Sequence, residues 1–155
     1  MNDRFKFRAF MTCHICIGVE EEKEISFYIY DVAVYSNGDI GFSRDALLDA
    51  LSKLDLTENQ KDEIEEEISE NSYCDDYEWY SIEFGKKEQC TGLRDKNGKL
   101  IYEGDIIRVE DNTCKVEWEE ENARYNVSGY GEIAYLTYNE IEVIGNIHEN
   151  PELLE

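Results

Sequence analysis

One proline and ten glycines in 155 residues leave little room for long linkers or for a disordered chain. No apolar run approaches the roughly 20 residues that a membrane-spanning helix needs. The start, Met1-Asn-Asp-Arg-Phe-Lys-Phe-Arg8, alternates charged and apolar side chains where a secretory leader needs a continuous hydrophobic stretch. Positive charge is also scarce, with 15 Lys and Arg against 37 Asp and Glu, a formal net charge of −22. A surface of that sign repels polyanions, which disfavours direct binding to DNA or RNA. Phosphate-cradling loops are missing, because Gly129-Tyr-Gly131 lacks the glycine and Lys-Ser/Thr that would have to follow. The expectation from these absences is a soluble intracellular protein with no membrane partner, no cofactor and no direct nucleic-acid ligand.

Five cysteines, Cys13, Cys16, Cys74, Cys90 and Cys114, are an odd number scattered through a chain without a secretory signal, so reduced thiols are expected. Cys13-His14-Ile15-Cys16 has the C-x-x-C spacing of zinc and redox pairs. On a strand, however, Cys13 and Cys16 face opposite sides, and no second pair completes a tetrahedron unless folding happens to bring Cys74 and Cys90 near. No metal ligands are assigned. Nucleophilic catalysis needs a base beside a Ser or Cys, and only His14 and His148 are available, neither within an elbow or oxyanion motif. His148 reads as part of a tail just before Pro151. Paired carboxylates are too frequent among 37 acids to be diagnostic. The chain therefore reads as a non-enzyme with no catalytic residues.

What is present is mostly β pattern. Phe5, Phe7 and Ala9 alternate with Arg4, Lys6 and Arg8, a half-buried strand with a basic outer face. Residues 12–18 either extend it or form the next strand, and the acidic run Glu20-Glu-Glu-Lys-Glu24 reads as a solvated turn. Ile25 to Tyr35 is rich in β-branched and aromatic residues. Asn37-Gly38 then separates it from Ile40-Gly41-Phe42, which predicts a hairpin. Strand pattern returns at Tyr77–Phe84, where Tyr77, Trp79, Ser81 and Glu83 alternate with their neighbours. It recurs at Cys114–Trp118, Ala123–Val127, Ile133–Leu136 and Ile141–Ile147. Between these lies Thr91 to Val109, with turns at Asn97-Gly98 and at Glu103-Gly104-Asp105. Such short, closely spaced strands suggest a small barrel.

The period changes at Ser43, which can cap a helix carrying Leu47, Leu48, Leu51 and Leu54 on one stripe. Thr57 and Gln60 form a capping-box signature for a second helix, Glu58 to about Glu70, anchored only by Ile64 and Ile68. Its acidic residues include Asp62, Glu63, Glu66, Glu67 and Glu70. A charge run on a helix is ordinarily a solvated face. Its functional reading is an interaction face that imitates the charge of a DNA backbone and enters the basic channel of a nucleic-acid enzyme. Tyr28, Tyr30, Tyr77, Trp79, Tyr80, Trp118 and Tyr130 divide between core packing and interface surface.

The expected fold class is mainly β (α+β), with an SH3-like or small-barrel C-terminal part and a helical hairpin inserted around 43–70. The chain reads as one domain, 1–155, divisible into an N-terminal β part (1–42), a helical insertion (43–71) and a barrel-like part (77–155). Three segments resemble the signature blocks of YopX-type phage and prophage proteins: Phe5-Lys-Phe-Arg-Ala-Phe10, Cys90-Thr-Gly-Leu-Arg-Asp-Lys-Asn-Gly-Lys-Leu-Ile-Tyr-Glu-Gly-Asp-Ile-Ile107 and Glu142-Val-Ile-Gly-Asn-Ile-His-Glu-Asn-Pro-Glu-Leu-Leu154. The helical hairpin and the Cys13/Cys16 pair are not features of those blocks. The resemblance implies a mainly β product of the bacterial cytoplasm, made during lysogeny or infection, with no assigned activity. Contact with a protein partner or with itself, as a homo-oligomer, is the expected mode of action. The alternative is an acidic DNA mimic that inhibits a host nucleic-acid enzyme.

Overall fold

The computed structural model describes residues 6–18, 21–72, 79–82, 85–136 and 140–155. Expectations that fall on Arg4, Phe5, Glu20, Cys74, Tyr77, Glu83 and Phe84, and on the side chains of Trp79 and Ser81, lie outside them. The fold is mainly β with two helices. It forms two units, Phe7–Lys87 and Glu88–Glu155, the latter joined by Lys6.

In the first unit, β1 (Phe7–Gly18) and β2 (Glu21–Val34) form a long antiparallel pair. β3 (Ile40–Ser43) pairs with β2 and β4 (Trp79–Ile82) with β3, giving the order β4-β3-β2-β1. Residues 12–18 extend the first strand. The Asn37-Gly38 turn closes as expected: the Tyr35 N–H donates to the Asp39 carbonyl at 3.0 Å and the Gly38 N–H to the Tyr35 carbonyl at 2.9 Å. Alternation along β1 and β2 puts Ala9, Met11, Cys13 and Ile15 with Ile25, Phe27 and Ile29 in one core.

Three expectations fail here, each for a tertiary reason. Glu21–Glu24 is strand and not turn, because pairing with Ile15, Cys16 and their neighbours in β1 overrides a weak local preference. Arg8 is 2% exposed, not part of an outer basic face; its guanidinium lies 4.4 Å from the centroid of the Tyr28 ring, a cation–π contact. Leu48 is 40% exposed, so the stripe of α1 (Arg44–Ser52) is Leu47, Ala50 and Leu51. Ser43 caps α1 as expected, accepting from the Ala46 N–H at 3.2 Å.

In the second unit, β5 (Lys86–Arg94) pairs with β6 (Leu100–Tyr102) around the Asp95–Gly98 turn. β7 (Asp105–Val109), β8 (Asn112–Glu119), β9 (Arg124–Val127), β10 (Gly131–Glu132) and β11 (Ile141–Asn146) form a sheet in the order β10-β9-β8-β7-β11. Ile107, Val109, Cys114, Val116, Val127, Ile133 and Ile141 make its core. β10 and β11 are its outer strands and it closes no barrel among the described residues, so the SH3-like or small-barrel expectation is not met. Ile133–Tyr135 is a 3₁₀ turn, not the expected strand. Four apolar or small residues are too few to separate the two periods.

Candidate functional site

α2 (Glu58–Glu70) forms for local reasons that are legible in its sequence. Thr57 Oγ1 accepts from the Gln60 N–H at 3.3 Å while Gln60 Oε1 accepts from the Thr57 N–H at 3.0 Å, a complete capping box. Ile64 and Ile68 are both fully buried and join the core of the first unit. Burying each is worth about 1.5–3 kcal/mol. These two side chains fix which way every carboxylate of the helix points.

The carboxylates fall into three groups. Glu63 and Glu67 flank the buried stripe and reach β1: Glu67 Oε2 accepts from the His14 backbone N–H at 2.8 Å, and Glu63 Oε2 accepts from the Cys16 N–H at 2.9 Å. Glu65 accepts from Arg44 Nε at 2.5 Å and from the Tyr80 hydroxyl at 2.9 Å. The Arg44 hydrogen bond holds its carboxyl below the usual carboxylate range, against the opposing effect of burial. Asp62, Glu66 and Glu70 are exposed, and no hydrogen bond or ion pair joins them to another described residue. They stand four residues apart, so they make a row of charges about 6 Å apart along the helix.

Around the C-x-x-C motif, Cys13 is buried and Cys16 exposed, as strand alternation requires. Burial, with a smaller contribution from the Glu67 charge, pushes the Cys13 thiol up to about 12. It is a neutral core thiol at physiological pH. Among the described residues, no three His, Cys, Asp or Glu side chains gather as a metal site.

His148 is not in a loose tail. Its Nε2 lies 3.0 Å from Glu88 Oε1, with the two side chains only 13% and 6% exposed. Asn146 holds the local chain, its Oδ1 accepting from the N–H groups of His148 at 3.0 Å and Glu149 at 2.9 Å. Glu88 was not singled out from the sequence, since nothing local marks one glutamate among so many. Burial of Glu103 itself, and to a lesser degree the Glu88 charge, raises the Glu103 carboxyl above its ordinary value. Two cavities of about 240 and 250 Å³ lie elsewhere and neither is lined by histidine.

The central turns are held by their own carboxylates. Asp95 Oδ1 accepts from the Asn97 and Lys99 N–H groups at 2.9 Å and its Oδ2 accepts from the Val143 N–H at 3.0 Å, which ties the turn to β11. An Asp at the first position of an Asp-Lys-Asn-Gly turn is the signal that could have found it. Asp105 Oδ2 accepts from the Tyr102 N–H at 2.8 Å, within the Glu103-Gly104 turn. Of the aromatics, Tyr28 and Tyr80 are buried, Tyr30 and Trp118 are partly exposed, and the Tyr130 hydroxyl accepts from Asn112 Nδ2 at 2.7 Å. Tyr135, 81% exposed, went unnoticed in the sequence because its segment read as strand.

The family model described as YopX protein matches residues 48–155, most of this chain, from the second half of α1 to the C-terminus. The chain belongs to the YopX family. The SPbeta prophage-derived uncharacterized protein YopX of Bacillus subtilis (strain 168) is 33% identical to it, over 37% of this chain and 52% of that protein. The chain thus spans about half the length of that relative. The matched stretch contains α2 and two of the three resembling segments, 90–107 and 142–154; Phe5–Phe10 lies before it.

Proposed function

We propose that this chain is a phage- or prophage-encoded accessory protein that acts in the bacterial cytoplasm by binding another protein, without catalysis. The observation that carries this reading is the Asp62, Glu66, Glu70 row. These three carboxylates are exposed, make no ion pair among the described residues and stand on a helix that Ile64 and Ile68 fix on the core. A row of that kind is complementary to a surface rich in Lys and Arg, and attraction between them acts over a Debye length of about 8 Å at physiological salt. The prophage origin named for the Bacillus subtilis relative supports the phage setting. The reading without catalysis is supported by the Cys13 thiol, which burial keeps neutral.

The narrower form of the proposal is mimicry of a nucleic-acid backbone by this row, directed at the basic cleft of a host restriction, repair or polymerase enzyme. Glu63 and Glu67, turned to β1, support the face from behind and do not form part of its outer row.

The test is capture of partners from bacterial lysate by the tagged chain at low and at moderate salt, with the eluate identified by mass spectrometry. The variant Asp62→Asn/Glu66→Gln/Glu70→Gln is run beside it. A basic, nucleic-acid-handling protein recovered at low salt by the wild type and not by the variant is the expected result. Equal recovery by both would remove the row as the contact.

A further inference from the structure

Near the end of β2 the pairing with β1 slips by one residue. Arg8 stands opposite Tyr30 and Phe7 opposite Val32, which leaves Asp31 as an extra residue, a β-bulge. Strict alternation after Phe27 and Ile29 would turn position 31 into the core. The bulge gives that place to Val32, 5% exposed, and leaves Asp31 exposed with its backbone in the left-handed region at φ +57°. Aspartate is among the few L-residues that visit this region. Asp31 thereby lines, with Tyr28 and Tyr30, the cavity of about 250 Å³ whose other wall is α1.

That cavity is aromatic and anionic at once. The Tyr28 and Tyr30 rings have centroids 6.1 Å apart, and Tyr30 is 41% exposed. On the helix side Ala46 and Ala50 leave the space that larger side chains would fill. A carboxylate stands on each wall. Asp31 on β2 is joined to no other described residue by a hydrogen bond or ion pair. Asp49 on α1 accepts at Oδ2 from Lys53 Nζ at 2.7 Å, an exposed pair that a ligand can displace or share at little cost. The Arg8 guanidinium, 4.4 Å from the Tyr28 centroid, shows these tyrosines already engaging a guanidinium within the fold. Neither Arg8 nor Lys53 lines the cavity, whereas both carboxylates do.

We infer that this cavity is a binding site for the guanidinium of an arginine carried by a partner protein. A guanidinium is flat enough to lie on the exposed Tyr30 ring while its edge N–H groups donate to carboxylates, a combination that the compact, strongly hydrated ammonium of lysine does not match. Arginine within a peptide is favoured over the free amino acid, whose own carboxylate would approach a surface of net charge −22. The site shares no residue with the Asp62, Glu66 and Glu70 row and does not rest on it.

The experiment is a titration of the ¹⁵N-labelled full chain, followed by its amide resonances at physiological salt, with the capped peptide acetyl-Gly-Arg-Gly-amide. The same peptide with citrulline, the neutral isostere of arginine, is run beside it. Saturable shifts confined to the Tyr28–Asp31 and Ser43–Ala50 amides are expected with arginine and not with citrulline. Asp31→Asn keeps a residue that tolerates the left-handed backbone and removes its charge, and should weaken the arginine peptide about tenfold. The Asp62→Asn/Glu66→Gln/Glu70→Gln variant should bind it as the wild type does. Equal shifts with citrulline, affinity unchanged by Asp31→Asn, or affinity lost in the row variant each overturn the inference, the last by showing attraction to net charge alone. Should Asp31→Asn not fold, Ala46→Leu decides: it fills the cavity from the helix side, so binding should be lost, and retained binding overturns the site.

Discussion

Gly98 and Gly104 occupy the two central turns with nearly the same backbone angle, φ +82° and +79°, yet alanine should affect them very differently. At either position an L-residue in the left-handed region costs about 1–2 kcal/mol. Around Gly98 nothing lies within 4 Å of an added Cβ, so Gly98→Ala should lose only that amount. At Gly104 the Cβ would sit 2.6 Å from Glu88 Oε1, and that carboxylate is 6% exposed and bonded to His148. It cannot retreat into solvent without giving up its partner, which adds about 1–3 kcal/mol for a buried hydrogen bond left unmade. Gly104→Ala should therefore cost about 2–5 kcal/mol. Urea unfolding followed by circular dichroism measures both variants. A Glu88→Ala background should bring the Gly104→Ala cost down towards that of Gly98→Ala, because the two changes share one contact. Equal costs for the two glycines in the native background would refute the reasoning.

Two further outcomes follow from groups already described. Burial alone would raise the Asp95 carboxyl, but the Val143, Lys99 and Asn97 N–H groups outweigh it and hold the pKa below the ordinary value. A folded pKa below the unfolded one gives stabilisation that is complete above about pH 4 and is lost as pH falls through the folded value. Asp95→Asn, which sets an amide against the Val143 N–H, should cost about 1–3 kcal/mol at neutral pH. Its gap to the wild type should close below about pH 4; a gap unchanged with pH would contradict this. Maleimide labelling of the native protein should modify Cys16 rapidly and spare the buried Cys13, Cys90 and Cys114 until denaturant is added. Mass spectrometry that finds Cys13 labelled as fast as Cys16 would contradict its burial.

What could be read from the sequence was local. Asn37-Gly38, the Ser43 cap, the Thr57/Gln60 capping box and the Ile64/Ile68 stripe each depend on residues within a few positions of one another, and each is present. What could not be read depends on distant partners. Glu67 meets His14 across 53 positions, Glu63 meets Cys16 across 47, and His148 meets Glu88 across 60. No periodicity distinguishes Glu63 from Glu66 in a helix of acids. Only the orientation imposed by Ile64 and Ile68, and the presence of β1 beside them, assigns one to the fold and leaves the other free. Glu21–Glu24 shows the same limit in a strand, where pairing along β1 decided a segment whose composition reads as turn.

The account turns on this division of α2, and equilibrium unfolding of two variants side by side tests it most directly. Glu63→Ala/Glu67→Ala removes two charge-assisted hydrogen bonds to β1 and should cost about 2–3 kcal/mol, allowing for their partial exposure. Asp62→Asn/Glu66→Gln/Glu70→Gln removes only like charges four residues apart and should leave stability within about 0.5 kcal/mol, or raise it slightly. A destabilised outer-row variant beside an unchanged inner-pair variant would contradict the division and, with it, the assignment of the outer row to a partner.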